Sequence, residues 1–390
     1  MSGRRSWYSL VIGLVLAVGL SSCGSSNPPS GISGDFWEVH DTPSDDAQPG
    51  DIHTLEERDD APLGSRGWNM VYVSEIESGT KTYVSGEVYV PDDSDAVARD
   101  VVLWHHPTTG LPDECAPSRS EISETRMPEL TQLLNDGHIV IASDYPGQGL
   151  PGPVYYMVGE ANARASLDAL KSLEHLPGIR PSGKFVQYGF SQGGQTAMHA
   201  EAIAADYAPD FELVGTSLMA PAVRVQGLMA NAMQHEELTG FALAMLTGVQ
   251  TAYPDLRFEN FLTDEAIETL PEVNESCGSM WEAGTSIEQP YTESAMQEAD
   301  DWAIAMAEID NFAPTGKTPF IISHGTDDKI VPPELARREA AILCDAGAQV
   351  EYHEFDGLQH GAVVPGAVEG FPDWAQARFD DEVLLKDDCS

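Results

Sequence analysis

Basic residues are scarce in this chain. Its 390 residues contain 20 Lys and Arg against 63 Asp and Glu, which gives a formal net charge of −43 at pH 7. Such a surface repels phosphate groups, so we exclude nucleic acid and anionic membranes as partners of the folded surface. The acidic residues are spread along the chain, so we expect them to coat a folded domain. Two origins stay open: a high-salt environment that screens the repulsion, or an ordinary acidic exported protein.

The N-terminus lacks an apolar run long enough to span a bilayer comfortably. Arg4 and Arg5 precede an apolar stretch at residues 7–20, a pattern typical of a signal peptide. The stretch ends in LSSCG at residues 20–24, which resembles the lipobox of bacterial lipoproteins. The resemblance implies cleavage before Cys23 and a diacylglycerol anchor on its sulfur, which gives stable membrane attachment. The alternative is ordinary signal cleavage that discards Cys23 or leaves it free.

Cysteine is also infrequent, with five in the chain. Without Cys23 an even number is left, which in an exported chain favours two disulfides with three possible connectivities. These cysteines are Cys115, Cys277, Cys344 and Cys389. None of their spacings fits a zinc site, and we expect neither a metal nor a cofactor.

The order of predicted elements indicates an α/β fold. Residues 69–75 and 81–90 alternate apolar and polar side chains around a turn at 78–80, which predicts an antiparallel hairpin. Beyond residue 100, strands and helices alternate, which implies a mostly parallel sheet with helices on both faces. The predicted strands are 100–104, 138–142, 185–188, 213–218, 319–323 and 348–355. The predicted helices are 127–135, 158–175, 195–205, 333–345 and 374–385.

About ninety residues interrupt this alternation between two adjacent strands. They look helical and Met-rich, and an insertion of this size at the carboxyl edge of a sheet predicts a cap over the functional site. The alternative is a helical excursion packed on the far side. The expected division is a signal peptide at 1–22, a flexible tether at 23–34, a core in two parts at 35–222 and 313–390, and the insertion at 223–312. Residues 35–66 are polar and Pro-rich, and are either disordered or an arm on the domain.

A short motif at residues 189–193 predicts a nucleophilic serine. An apolar run from Phe185 to Tyr188 ends in GFSQG and a helix-compatible segment follows, which is the context of a nucleophile elbow. The turn is so tight that only glycine fits two residues before and after Ser191. It holds the hydroxyl at the positive end of the next helix. The motif alone also arises by chance, so its interpretation depends on a base, an acid and an oxyanion hole elsewhere.

Two downstream loops supply an acid and a base in the order that this topology requires. A serine hydroxyl is a poor nucleophile unless a base takes its proton and an acid orients that base. We assign Asp328, just past a predicted strand end, as the acid, with Asp327 as the alternative. His360, in the loop GLQHG after the next strand, is assigned as the base. We interpret His324 and His353 as structural.

The tetrahedral intermediate of acyl transfer needs two N–H donors. The backbone of Gln192, directly after the serine, supplies one of them. We expect the other in the loop HHPTTG at residues 105–110, where Thr108 is our assignment and Thr109 the alternative, because Pro107 has no N–H. The two histidines of this loop lack the further ligands of a metal site.

These motifs together resemble the secretory lipases of the α/β-hydrolase superfamily, and the likeness covers nearly the whole mature chain. Two positions depart from the pattern: Pro107 stands where many relatives have Gly, and Gln192 replaces a common Gly. The motifs are PGD at 49–51, VSG at 84–86, VP at 90–91, PTTGL at 107–111, DECAPS at 113–118, DYPGQG at 144–149, YGFS at 188–191, CDAGA at 344–348 and His360.

The resemblance implies an α/β-hydrolase fold with a helical cap that lines the acyl site. It implies carboxylester hydrolysis through an acyl-enzyme, the disulfides Cys115–Cys277 and Cys344–Cys389, and an ordered arm at residues 49–66. We therefore predict a monomeric, lipid-anchored, extracytoplasmic lipase or esterase that takes small-molecule or lipid esters and functions in lipid degradation. The alternatives are a prolyl- or dipeptidyl-type serine peptidase on the same fold, and a non-catalytic surface lipoprotein that binds apolar ligands.

Overall fold

The computed structural model describes residues 32–77, 79–92, 97–123, 125–297, 301–382 and 386–389. The predicted signal peptide, Cys23 and most of the predicted tether lie outside these residues. The described strands are β1 (Ile52–Arg58), β2 (Ser65–Glu77), β3 (Thr80–Pro91), β4 (Arg99–His105), β5 (Ile139–Ser143), β6 (Pro181–Phe190), β7 (Glu212–Met219), β8 (Phe320–Gly325) and β9 (Val350–Phe355). The described helices are α1 (Leu130–Asn135), α2 (Gly159–Ser172), α3 (Gln192–Tyr207), α4 (Val225–Ala232), α5 (Thr239–Ala252), α6 (Asp264–Thr269), α7 (Asp301–Ile309), α8 (Pro333–Ala346), α9 (Val364–Val368) and α10 (Phe371–Phe379).

All of these strands join one mixed sheet in the order β1-β2-β3-β5-β4-β6-β7-β8-β9. The first three strands run antiparallel, and β3 also pairs antiparallel with β5. From β5 to β9 the neighbours are parallel. Parallel strands end at the same edge, so the loops after β4, β6, β8 and β9 meet there.

Helices cover both faces of the sheet because the central strands are apolar on both sides. In β4, Val101 and Leu103 pack with residues of α2 and α3. Val102 and Trp104 point the other way and pack with residues of α1 and α10. This period of two is the alternation that a strand imposes on its side chains. The mostly parallel sheet with helices on both faces confirms the predicted fold class.

The N-terminal arm is ordered from residue 32 onward. Strand β1 pairs with β2 at the edge of the sheet, although few residues there are typical of a strand. Its polar side chains are mostly half-buried or exposed, as expected for an edge strand. Phe36 and Trp37 are buried against Val71 and Leu150, and the Arg119 guanidinium stacks over Trp37 at 4.4 Å. The arm therefore lies on the domain, which is one of the two alternatives left open for residues 35–66, and the ordered arm that the resemblance implied at 49–66 is present.

Most other predicted elements are present with shifted ends. The last helix, predicted at 374–385, is observed as α10 at Phe371–Phe379, because Pro372 is tolerated in a first helical turn. Asp381 then adopts a positive φ of 57°, beyond the end of that helix. Residues 383–385 of the predicted helix, and Ser78 of the predicted hairpin turn, lie outside the described residues.

The segment 223–312 separates β7 from β8, which are neighbours in the sheet. It carries α4 to α7 and builds an apolar cluster with Leu111 and Tyr156 of the core. The Asn231 amide of α4 donates to the Lys329 carbonyl at 3.0 Å, in the loop after β8. The segment therefore contacts the loops that follow β4 and β8, at the carboxyl edge of the sheet.

The four cysteines in the described part of the chain form Cys115–Cys277 and Cys344–Cys389, the connectivity that the family resemblance implied. The first links the loop after β4 to the segment 223–312. The second links α8 to the C-terminal segment. Among the described helices, none combines the length and apolar character that crossing a membrane requires.

Candidate active site

Ser191 lies at a tight turn between β6 and α3. Strand β6 ends at Phe190, Ser191 has φ 55° and ψ −117°, and α3 begins at Gln192. A Cβ on Gly189 would lie 2.2 Å from the Gly193 carbonyl oxygen, and one on Gly193 would lie 2.0 Å from the His105 carbonyl oxygen. Both contacts are impossible for a side chain, so glycine is required on either side of the serine. The geometry is that of the predicted elbow.

Three predicted residues from three loops meet in one hydrogen-bonded chain. The Ser191 hydroxyl lies 2.8 Å from His360 Nε2, and His360 Nδ1 lies 2.6 Å from Asp328 Oδ2. A carboxylate accepts, so His360 donates from Nδ1 and its Nε2 is left to accept from the serine hydroxyl. The sequence positions of these residues span 169 residues, and the sheet edge brings them together.

The Asp328 carboxylate is buried and fully occupied as an acceptor. Its Oδ1 accepts from the backbone N–H groups of Ile330 and Val331, each at 2.9 Å. Burial alone would raise the pKa of Asp328, but hydrogen bonds from His324 and His360 and the charge of His360 lower it well below the usual value. Asp328 is therefore held as a carboxylate. The alternative acid, Asp327, has an exposed side chain.

His324 contacts the same carboxylate, which the sequence did not indicate. Its Nε2 lies 3.2 Å from Asp328 Oδ2 and 3.0 Å from the Val331 carbonyl oxygen. Both are acceptors, so Nε2 carries the proton. His324 was interpreted as structural from its place beside the turn, and only the four-residue spacing to Asp328 hints at this contact.

The two predicted oxyanion residues lie beside each other. The Thr108 hydroxyl oxygen is 3.4 Å from Gln192 Oε1, and 2.8 Å from the hydroxyl of Tyr156. Within the described residues, neither the Gln192 nor the Thr108 backbone N–H has an acceptor. The hydroxyl of Thr109 is buried, and it has no partner in that same part of the chain. Of the two candidates, Thr108 is the one whose side chain contacts Gln192.

His105 and His106 are buried in the core, not arranged as metal ligands. His105 Nε2 bonds to Gln187 Oε1 at 2.8 Å, and burial lowers the pKa of His105 to about 4. In the described ranges, no group of three or more His, Cys, Asp or Glu side chains is placed to hold a metal ion.

The Ser191 and His360 side chains are nearly closed off from solvent. Ser191 is 9% exposed and His360 is 8% exposed. Phe190 packs against the His360 ring, with centroids 4.8 Å apart. A substrate that reaches Ser191 therefore enters an environment with little water.

The sheet order, with helices on both faces, is that of an α/β-hydrolase fold. A family model described as secretory lipase matches residues 121–387, more than half of the chain. The chain belongs to the secretory lipase family.

Several fungal proteins are similar in sequence. Lipase 6 of Candida albicans is 25% identical over 373 residues, which cover 85% of this chain and 78% of that protein. The secreted triacylglycerol lipase LIP7 of Malassezia globosa is 24% identical over 383 residues, 89% of this chain and 76% of that one. Lipase 10 of Candida albicans is 25% identical over 284 residues, which cover 68% of this chain but only 60% of that relative's length.

Solved structures support the fold. Candida antarctica lipase A in its closed state superposes with a TM-score of 0.72 at 18% identity, over 90% of this chain and 87% of that one. The rice cell wall degrading esterase LipA from Xanthomonas oryzae gives a TM-score of 0.67 at 18% identity, over 86% of this chain and all of that one. At this identity the likeness establishes the fold alone.

Proposed function

We propose that this protein is a serine hydrolase of carboxylic esters, a lipase or esterase. The observation that carries the proposal is the hydrogen-bonded chain from Ser191 through His360 to Asp328, with contacts of 2.8 Å and 2.6 Å. Membership of the secretory lipase family agrees with it. In this proposal Ser191 is the nucleophile, His360 the general base and then acid, and Asp328 the residue that orients His360.

The proposed reaction has two halves. The Ser191 oxygen attacks the ester carbonyl carbon while His360 Nε2 takes the serine proton, and the N–H groups of Gln192 and Thr108 bind the oxyanion. The intermediate collapses as His360 gives its proton to the leaving alcohol, which produces an acyl-enzyme. Water then attacks the acyl-enzyme, His360 takes the water proton, and the acid leaves as Ser191 is restored.

The substrate proposed is an ester with a medium or long acyl chain. The segment 223–312 acts as the cap in this proposal, and its buried cluster with Leu111 and Tyr156 is apolar. An apolar cover over a site with little water favours hydrocarbon over polar acyl groups. Relatives described as secreted triacylglycerol lipases fit this substrate class.

The decisive experiment replaces the nucleophile. We expect Ser191→Ala to lose p-nitrophenyl ester turnover by about a millionfold. It should also lose labelling by a fluorophosphonate, which bonds to an activated serine. Replacement of Ser182, an exposed serine at the start of β6, by Ala is the control and should leave both unchanged. Ester turnover retained by the Ser191 variant would refute the mechanism, and amide turnover above ester turnover would indicate a peptidase.

We also propose export with a lipid anchor on Cys23. The support is the LSSCG pattern after the apolar N-terminal stretch, together with the secretory lipase family. A Cys23→Ala variant, expressed in a bacterial host, should leave the membrane fraction and lose incorporation of a labelled fatty acid. A variant that stays membrane-bound would reject the anchor without affecting the hydrolase proposal.

A further inference from the structure

The peptide bond between Pro107 and Thr108 carries the proposed second oxyanion donor. A peptide group is planar, and in the trans form its C=O and N–H point in opposite directions. The described residues contain no cis peptide bond. Whatever holds the Pro107 carbonyl oxygen therefore also sets the direction of the Thr108 N–H.

The His106 ring holds that carbonyl from the core side. Its Nδ1 lies 2.7 Å from the Pro107 oxygen, while its Nε2 lies 3.2 Å from the Asp144 carbonyl oxygen. Carbonyl oxygens only accept, so the shorter contact places the proton on Nδ1. Burial lowers the pKa of His106, which favours the neutral ring.

The His106 ring has little freedom to rotate. It is fully buried and stacks on Tyr145, with ring centroids 4.0 Å apart and planes inclined by 24°. The Tyr145 hydroxyl donates to the His106 backbone oxygen at 3.1 Å. His106 is thus clamped by its ring and by its backbone, and the clamp extends to the Pro107 carbonyl.

Tyr156 contacts the side chain of Thr108, next to the same peptide. Its hydroxyl lies 2.8 Å from the Thr108 hydroxyl oxygen, which in turn donates to Gln192 Oε1 at 3.4 Å. Burial raises the pKa of Tyr156 to about 12, so its phenol keeps a proton to donate. The Tyr156 backbone is itself fixed against α5, where a Cβ on Gly248 would lie 1.9 Å from the Tyr156 carbonyl oxygen.

We propose that His106 and Tyr156 are positioning residues that clamp the Pro107–Thr108 peptide and aim the Thr108 N–H at the oxyanion. Neither side chain touches the reacting atoms. The proposal rests on the proposed esterase function, since it assigns the second oxyanion donor of that reaction. It also explains why a proline is accepted at residue 107: the peptide uses its carbonyl, and the ring fixes φ.

The test compares substitutions at His106 with a substitution at a second buried histidine, His138. Phe keeps a ring but removes the Nδ1 donor, whereas Asn supplies an amide N–H in a similar place. We expect His106→Phe to lower kcat about tenfold to a hundredfold with little change in KM. This loss is smaller than the loss from removing an oxyanion donor, because the Thr108 N–H is still present and is only less well aimed. His106→Asn should recover most of kcat. His138→Phe is the control, since His138 is a buried histidine directly before β5, at the end of that strand away from Asp144, and its ring packs against Phe379.

A trifluoromethyl ketone distinguishes positioning from general damage. Its adduct with a serine carries a negative oxygen in the oxyanion hole, so its inhibition constant should rise with the fall in kcat in His106→Phe and stay unchanged in His138→Phe. Tyr156→Phe removes one hydroxyl and should lower kcat about threefold to tenfold, consistent with one lost hydrogen bond. This variant decides the question if the His106 variant does not fold.

The outcomes separate the two proposals. If Ser191→Ala is inactive while kcat and inhibition are unchanged in His106→Phe and Tyr156→Phe, the clamp is overturned and the esterase stands. Equal losses in His106→Phe and His138→Phe also overturn the clamp. If Ser191→Ala keeps its activity, the esterase mechanism is what fails.

Discussion

At the scale of single residues, Asp328 shows how burial and hydrogen bonding select one of two adjacent acids. Asp328 accepts from two backbone N–H groups and lies beside the rings of His324 and His360. Asp327 is one residue away, but its side chain is exposed. The spacing of Asp328 to Gly325 and Pro332 in the sequence predicts that Asp328 is the acid. The contact between Asp328 and His360 gives a physical basis for that assignment.

We predict that Asp328→Asn lowers kcat by about ten-thousandfold, because an amide cannot hold His360 in the tautomer that accepts from serine. KM should change little, since Asp328 does not contact the substrate in the proposed mechanism. Asp327→Asn is the matched control and should keep most of the activity. Steady-state kinetics on one p-nitrophenyl ester measure all three enzymes. A larger loss of kcat in the Asp327 variant would indicate that Asp327, and not Asp328, is the acid.

Residue roles that depend on tertiary contact were the hardest to foresee. Ser191, His360 and Asp328 follow predicted strands, so strand order alone placed them at one edge. His324 and Tyr156 carry no such signal, because their partners are brought to them by the turn after β8 and by the loop after β4. A sequence shows the residue type at such a position but not the atom it will face.

At the scale of elements, Asp310 joins the two ends of the inserted segment. It lies near the end of that segment, and its carboxylate accepts from the N–H groups of Val225 and Gln226 at 2.8 and 3.2 Å, so it caps α4 at the beginning of the segment. Arg224 donates to the Asp310 carbonyl oxygen and pairs with Glu339 of α8 at 2.7 Å. Burial, only partly opposed by these bonds, raises the pKa of Asp310 to about 6.

This raised pKa predicts a pH-dependent stability. Between pH 4 and 6 the folded state keeps a proton on Asp310 that the unfolded state has released, so stability falls as pH rises through this range. Asp310→Asn removes the effect. From pH 4 to 7, the unfolding free energy of the wild type should fall relative to the variant by about 3 kcal/mol, at 1.36 kcal/mol per pKa unit.

Urea unfolding at several pH values measures this difference. Asp301→Asn, at an exposed acid at the start of α7, is the control for the loss of one carboxylate. A difference between wild type and the Asp310 variant that stays constant across the range would contradict the prediction.

The two disulfides should differ in effect. Cys115–Cys277 closes a separation of 162 residues and Cys344–Cys389 one of 45, so loop entropy predicts losses of about 5 and about 4 kcal/mol respectively when each pair is replaced by Ala. Only the first pair should also lower kcat. The reason is that Cys277 packs closely against Gly110, where a Cβ would lie 2.8 Å from Cys277 Cα. Gly110 belongs to the loop at residues 105–110, which contains the proposed oxyanion donor Thr108. Unfolding curves and ester kinetics of the two double variants test both statements, and equal kinetic losses would contradict the second.

Element prediction succeeded where an apolar run or an apolar–polar alternation marks a strand, and failed where the strand carries neither pattern. The central strands are apolar runs that read clearly from sequence. Strand β1 has the sequence IHTLEER with a mostly polar surface, and pairing with β2 rather than its own composition makes it a strand. The ends of helices shifted by a few residues, as for α10, because caps and first turns depend on local contacts.

At the scale of the whole molecule, the charge of −43 governs behaviour in salt. Like charges on a compact surface repel one another, and the repulsion is relieved as the Debye length shortens from about 10 Å at 0.1 M to about 3 Å at 1 M. We predict that the melting temperature rises by several degrees between 0.1 and 2 M NaCl, at a few degrees per kcal/mol for a chain of this size.

Sucrose of equal osmolality serves as the control, because it is excluded from protein surfaces without screening charge. A melting temperature that is flat or falls with NaCl would reject the high-salt origin and favour the ordinary acidic exported protein. A rise in melting temperature that is equal in NaCl and in sucrose would also reject the high-salt origin.

The disulfide between Cys115 and Cys277 also changes how the chain responds to cleavage. The polypeptide between these residues includes Ser191, while Asp328 and His360 lie beyond it. A protease that cuts once in the exposed stretch at residues 254–257 therefore separates the backbone carrying Ser191 from the backbone carrying Asp328 and His360. The two fragments stay one covalent molecule, and they part on a gel only when a reducing agent is present.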